Sequence, residues 1–344
     1  MRKFQLLLIL LLSLYTSIAC AQRHRLRIME YNVENLFDTL HAETKSDLEF
    51  TPQGEKQWTE RRYWSKLGKI CRVIAATGET VPVDLVALIE VENDSTLSHL
   101  THRTKLLRLG YEYIISHSED LRGINVALLY QPHRFRPIMH DSLRISPCGR
   151  VLRSTRDILH VCGELTNGDT LDLFICHFPS RKGGKPNETY RTNIARTMRA
   201  YTDSLMQTRK APYIVITGDF NAFYPERCLK EGLSAMLPSI PLHPRSLYLL
   251  SHNLRGQSDI HGTYKFQGEW NQLDHFIVND RLLHIDSIDH HIYTTPQSCR
   301  IVDFPFLLRA DRNGDGVHPH RSFLGNYYSG GYSDHLPLLL DLFY

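Results

Sequence analysis

The sequence predicts an α+β protein built on mixed sheets with helices outside, rather than an all-parallel doubly wound one. Two observations point there. Helical and strand-like segments alternate early in the chain, and an Asn167-Gly168 hairpin signal joins two strand-like stretches in the middle. The chain also lacks any repeat, low-complexity tract or linker-like stretch, so residues 22–344 are expected to form one domain.

Leu26 to Val33 reads as a first strand. Tyr63, Leu67, Ile70 and Ile74 recur at helical spacing and mark an amphipathic helix ending near Gly78. Val83 to Val91 is a nearly continuous apolar run, as expected of a strand buried on both faces. Ser95 to Leu109 reads as a second helix stopped by Gly110, followed by a strand over Tyr111 to Ser116. Further strands are expected at Ile124 to Tyr130, Ile158 to Leu165 and Leu171 to Phe178. Asn187 is placed to cap a helix whose stripe is Tyr190, Ile194, Met198, Tyr201 and Leu205. Tyr213 to Thr217, Leu273 to Val278 and Leu336 to Phe343 complete the strands, and Pro225 to Gln272 carries no readable pattern.

The N-terminus is set aside from the fold. Arg2 and Lys3 precede an apolar run from Phe4 to Leu14, too short to span a bilayer as a helix, with small residues after it. Residues 1–21 thus read as a secretory signal. Ala19-Cys20-Ala21 fits a cleavage site better than a lipidation site at Cys20, because Ser17 stands where a lipoprotein signal usually has Leu. The expected product is an exported protein: periplasmic, outer-surface or secreted. Losing Arg2 and Lys3 lowers the formal charge from +3 by two, to +1, so any attraction for nucleic acid must be local. Six further cysteines, Cys71, Cys148, Cys162, Cys176, Cys228 and Cys299, form no Cys-x-x-Cys pair, which argues against structural zinc and for buried thiols.

Polar exceptions gather at strand ends. Glu90 ends one apolar run and His177 another, Asp219 and Asn221 follow Gly218, Asp274 opens a strand, and Asp334-His335 precede the last. Each alone has a structural account, as a turn, a surface charge or a satisfied core histidine. In extended backbone Asp219 and Asn221 would face one side, with Gly218 letting the chain pass close to a ligand. Together these types suit phosphate-ester hydrolysis. Carboxylates hold a hard cation, Asp or His handles the water's proton, and His, Asn or Arg meets charge on the phosphoryl oxygens. Ser333-Asp334-His335 is not a serine-hydrolase triad, since neighbours on a strand point to opposite faces. Arg181-Lys182-Gly-Gly-Lys185, Arg122 and Asn125 are candidate substrate contacts. Asp311 to Gly316 begins like a calcium loop, but its twelfth position is Ser322, so a polar surface loop is expected. His318-Pro-His320 and His290-His291 lack a ligand pattern.

Six motifs occur in order: Tyr31-Asn-Val-Glu-Asn35, Leu88-Ile-Glu-Val-Glu-Asn93, His177-Phe-Pro-Ser-Arg181, Gly218-Asp-Phe-Asn-Ala222, Gln272-Leu-Asp-His275 and Ser333-Asp-His-Leu-Pro337. In these the chain resembles the endonuclease/exonuclease/phosphatase superfamily from about Arg27 to Tyr344. The resemblance implies a four-layered α/β/β/α sandwich of two mixed sheets. It implies Mg²⁺, with Mn²⁺ as the alternative, at Glu90, with Asn32 and Asp334 close by and Glu34 as a further ligand. Asp219 would align or deprotonate water, Asn221 orient the phosphate, and Asp274 hold a cationic His335 against it. His177 would contact the phosphate or assist the leaving oxygen. Cys176 stands where relatives often carry Asn.

The leading expectation is a nuclease cutting DNA or RNA, monomeric and without a stable protein partner. The alternatives are a small or lipid phosphate ester as substrate, or a surface binding protein that has lost catalysis.

Overall fold

The computed structural model describes residues 24–146, 154–257, 259–284, 292–311, 314 and 316–344. The signal segment with Cys20, Cys148, His290-His291, and Arg312, Asn313 and Asp315 of the calcium-like loop lie outside them.

Twelve strands form two six-stranded mixed sheets. They are β1 (Arg25–Leu36), β2 (Leu85–Val91), β3 (Glu112–Ile115), β4 (Asn125–Tyr130), β5 (Phe135–Leu143) and β6 (Ile158–Leu165). The others are β7 (Thr170–His177), β8 (Tyr213–Asp219), β9 (Leu247–Leu249), β10 (Asp274–Asn279), β11 (Cys299–Ile301) and β12 (Leu338–Phe343). The first sheet has the order β11-β12-β1-β2-β4-β3 and the second β5-β6-β7-β8-β10-β9. In each, one central pair is parallel, β1 with β2 and β7 with β8, and the remaining pairs are antiparallel.

Period-two alternation makes the layers. On β7 and β8, Leu171, Leu173, Ile175, Tyr213 and Val215 join the core shared with the first sheet. Phe174, Cys176, Ile214 and Ile216 face the opposite way, against α3 (Gly184–Thr208) through Tyr190, Ile194 and Met198. On the far side, α1 (Glu60–Gly78) buries Tyr63, Leu67, Ile70 and Ile74 against the first sheet. Such burial stabilises by about 1.5–3 kcal/mol per large apolar side chain. The expected four layers are thus observed.

Several local expectations need correction. The second helix is α2 (Asp94–His102), ending at Arg103 before a separate short turn, Lys105–Leu109. Thr104 breaks it, because its side chain accepts from the Leu106 amide and starts that turn. Asn187 lies inside α3 and donates from Nδ2 to the Ser180 carbonyl (2.8 Å) rather than capping the helix. Strand β5 has no apolar alternation to reveal it: it is an edge strand with Pro137, a register shift and exposed Ile138 and Met139. The five described cysteines are buried free thiols.

Candidate active site

The site lies where the ends of the central strands converge. Tyr213, Val215 and Thr217 alternate inward along β8, and Asp219 ends that series; His177 ends the inward series of β7 and pairs in register with Asp219. Asp274 opens β10 directly opposite Asp219. Gly218, at φ +140°, is required by the sheet itself: a Cβ there would lie 2.0 Å from the Cys176 carbonyl oxygen. The close neighbour is therefore β7, not a ligand.

The first sheet contributes through irregularity. Pairing of β1 with β2 slips beyond Asn32, and Glu34, Asn35 and Glu90 all take positive φ, at +53°, +53° and +68°. Such bulges re-aim side chains. The Glu90 carboxylate accepts the Asn35 amide (2.8 Å) and lies 3.6 Å from His177 Nε2. Asn32 donates from Nδ2 to Asp219 Oδ2 (3.2 Å). Asn221 also meets Asp219, but through a turn: its φ is +48°, and its amide and Nδ2 donate to the carboxylate at 2.8 and 3.0 Å. Extended backbone, the expected cause, ends at Asp219.

Burial first, then the charge of Asp274, lifts the Asp219 carboxyl to about 7, with cationic His335 opposing. His335 Nδ1 donates to Asp274 Oδ2 (2.7 Å), which also accepts from the Thr263 hydroxyl. Burial disfavours the imidazolium, but Asp274, Asp219 and Asp334 outweigh it and hold His335 well above the usual histidine range. His177 is the opposite case. Burial, then Arg156 and Arg122, push it well below that range, so it is neutral, and its buried Nδ1 lacks a partner. One imidazolium and one neutral imidazole thus face one cavity of about 470 Å³, lined also by Glu90, Asp219, Asn221, Asp334 and Tyr264.

The remaining candidates are distributed unevenly. Glu34 is buried, accepts the Ser322 and Phe323 amides (2.5 and 3.2 Å) and lies 3.9 Å from buried Lys66. Burial and then Asp334 raise it to about 7. Asp334 lies 4.0 Å from Arg321. Arg122, Arg181 and Lys182 line the cavity rim. Arg122 donates to Asn35 (2.5 Å), and Arg181 pairs with Glu226 and covers the Phe223 ring. Arg181 to Lys185 is a 3₁₀ turn running into α3, not a flexible loop. Asn125 is buried, with Oδ1 accepting the Ser118 amide and Nδ2 donating to the Glu92 carbonyl, so neither end of its amide faces a ligand. Asp311 pairs with Lys265 (3.0 Å).

Sequence reasoning missed Glu30, a lone acid in the apolar run of β1 whose buried carboxyl lacks any hydrogen-bond partner. Burial and then Asp274 push it well above the usual carboxylate range. It also missed Tyr264, whose ring lies 4.9 Å from that of His335.

Hard oxygen donors crowd this end of the sheets, and their mutual repulsion contributes to the raised carboxyls at Asp219 and Glu34. A divalent cation would relieve that repulsion, so the donor set fits one. Ligand atoms of Asp219, Asp274 and His335 lie within 4.8 Å of one another. The Asp274–His335 hydrogen bond, however, makes that trio a better proton network than a metal cage.

Three known structures of the same fold lie at 14–18% identity, which bears on the fold alone. The mannosyl-6-phosphatase Bt3783 of Bacteroides thetaiotaomicron superposes with a TM-score of 0.57 at 15% identity, over 93% of this chain and 100% of that one. The D. rerio TDP2 complexed with single strand DNA product gives 0.55 at 14%, over 92% and 98%. The human Nocturnin catalytic domain with bound sulfate gives 0.54 at 18%, over 94% and 98%. No curated protein matches the chain in sequence. A family model nonetheless spans residues 27–343, and the chain belongs to the Endonuclease/Exonuclease/phosphatase family.

Proposed function

We propose that the protein is an exported, Mg²⁺-dependent phosphodiester hydrolase, acting as a nuclease on DNA or RNA. The observation that carries this is one cavity on which Glu90, His177, Asp219, Asn221 and the Asp274–His335 pair converge beneath a cationic rim. Glu90, with Asn32 and Asp334, would hold the metal, Mn²⁺ being the alternative ion, and Glu34 supports that corner from its bonds to Ser322 and Phe323. When bound, the ion supplies Lewis acidity toward a phosphoryl oxygen.

The chain's own residues supply the rest. Asp219 takes a proton as water's oxygen bonds to phosphorus and the ester P–O bond breaks. His335, cationic against Asp274, meets the charge on the phosphoryl oxygens, and the Asn221 amide joins it by exchanging its bonds to Asp219 and the Phe178 carbonyl for the phosphate. Neutral His177 orients by its ring N–H, and the leaving oxygen takes its proton from solvent. Activity requires Asp219 ionised, which a bound cation favours.

A second reading, a small phosphate ester, has its own support. A cavity of about 570 Å³ adjoins the site and is lined by Ser46, Glu49 and Ser154, whose accessible hydroxyls and carboxylate suit sugar hydroxyls. The Bt3783 neighbour is named a phosphatase of a sugar phosphate.

The test is hydrolysis of plasmid DNA, RNA, bis-p-nitrophenyl phosphate, mannose 6-phosphate and sphingomyelin with Mg²⁺ and then EDTA, by wild type and Asp219→Ala. Metal-dependent cutting of polynucleotide, lost in the variant, is the expected result. Activity confined to small or lipid esters would keep the mechanism and replace the substrate, and unchanged activity in Asp219→Ala would sink the site. The export reading is tested by the mass of the purified protein from cells, expected to start at Gln22.

A further inference from the structure

Beyond the catalytic cavity, two ribbons present large side chains to solvent. One pairs Tyr264–Phe266 with Glu269–Asn271 and the other Phe323–Leu324 with Tyr327–Tyr328. Phe266 is 54% exposed, Leu324 50% and Tyr327 72%. Neighbouring exposed apolar side chains of this size mark a binding surface more often than chance.

The ribbons are braced. Phe323 packs on Trp58 and Tyr328, with ring centroids 5.9 and 5.3 Å away, while the amides of Ser322 and Phe323 are held by Glu34. Lys66 donates to the Ser322 hydroxyl and the Tyr332 carbonyl, both at 2.6 Å. The first ribbon is held by Lys265, which donates to the Val317 carbonyl (3.1 Å). The exposed rings therefore stand on fixed backbone, and a ligand stacking on them has little ordering to impose.

A trough of about 760 Å³ runs between the ribbons, lined by Phe266, Leu324 and Tyr327 and by the cations Arg309 and Arg321. It is continuous with the catalytic cavity. Phe266 lines both, and the Arg321 guanidinium lies 5.8 Å from the Tyr264 ring, which in turn lies tilted against the His335 ring. Rings interleaved with cations match a strand of unpaired bases joined by phosphates, each base offering a face and each linkage a charge. A duplex keeps those faces covered. A lipid surface would favour apolar side chains gathered on one face with the cations on another, rather than rings and cations interleaved.

We propose that this trough holds the single-stranded part of a polynucleotide, with bases on Phe266 and Tyr327 and phosphates on Arg309 and Arg321. The proposal rests on the nuclease reading above and adds which form of nucleic acid the site takes.

The experiment compares wild type, Tyr327→Ala and Arg309→Ala. Substrates are a labelled single strand of about 12 nucleotides, the same sequence as a blunt duplex, and bis-p-nitrophenyl phosphate, which is too short to reach the trough. Binding of the single strand is also measured in EDTA by fluorescence anisotropy. Stacking predicts that Tyr327→Ala raises KM for the single strand and weakens its binding by about fivefold to a hundredfold. The ratio of single-strand to bis-p-nitrophenyl phosphate turnover falls accordingly, and Arg309→Ala flattens the salt dependence of binding. An equal loss on both substrates would mean that Tyr327 only shapes the catalytic cavity, and would overturn the proposal. So would unchanged single-strand kinetics, wild-type preference for the duplex, or loss in Tyr327→Ala of binding to phosphatidylcholine–sphingomyelin vesicles instead. Failure of the nuclease reading looks different: wild type then hydrolyses small esters but no polynucleotide, and the trough assignment falls with it.

Discussion

Among the described residues, two buried histidines hydrogen-bond aspartates of the second sheet, and only one of these pairs belongs to the site. His160 Nε2 donates to Asp172 (2.8 Å) between β6 and β7, much as His335 Nδ1 donates to Asp274 (2.7 Å). The surroundings differ. His160 is sealed, stacked on Phe174 with centroids 4.3 Å apart and edged by Tyr201, while Arg209 supplies the counter-charge of Asp172. His335 lines a cavity, and among the described residues Asp274 pairs with no arginine but with the Thr263 hydroxyl and His335, amid repelling acids. A His–Asp pair becomes chemical equipment when it has access and unbalanced charge. Where both are satisfied it is a buried brace for α3.

Four measurements bear on this contrast. His335→Gln is expected to lower kcat about 10²–10³-fold, the loss typical of one charge-stabilising donor. Asp274→Asn should lower it roughly tenfold or more and change the pH profile as well. Without the aspartate charge the imidazolium is no longer favoured, so the alkaline limb of kcat moves to lower pH. A profile that does not move would place Asp274 outside the relay.

The third is thermal unfolding against pH in EDTA. The unfolded chain binds the Asp219 proton with a pKa of about 4, whereas the folded chain binds it at about 7. Between these values the folded state holds more protons, so stability is greatest at the acid end and falls as pH rises to about 7. Asp219→Asn should flatten that slope; an identical slope would remove Asp219 as its source. Smallest for catalysis is His160→Gln. It should leave kcat within about twofold while destabilising the fold by about 1–3 kcal/mol, because Asp172 loses a buried partner. A large loss of kcat with a normal melting curve would erase the distinction between the pairs.

Much of this was legible in the sequence, because strand ends announce themselves. Glu90, His177, Asp219 and Asp274 each interrupt an apolar run, and period-two alternation carries three of them to the inward face of the second sheet. Non-local geometry was not legible. Nothing near Glu34 in sequence says that Ser322 and Phe323 will claim its oxygens, and nothing near Asn125 says that Ser118 and Glu92 will claim its amide. Glu30 went unread for the reverse reason: a single acid among apolar residues looks like a surface charge until the second sheet covers it. Ribbons of two or three residues per strand, such as those bordering the trough, are too short to show a period.

The left-handed backbone at Glu34, Asn35, Glu90 and Asn221 has an evolutionary consequence. L-residues held there forfeit about 1–2 kcal/mol apiece relative to glycine, and asparagine less, and two of the four, Glu90 and Asn221, line the catalytic cavity. The chain thus keeps a reserve of stability that it can draw on only by surrendering its chemistry. Glu90→Gly would relax the bulge and remove one of the charges repelling Asp219, at the loss of the Asn35 bond. Such a variant should melt above the wild type while hydrolysing nothing. A descendant released from selection for activity would drift toward glycine at these positions first.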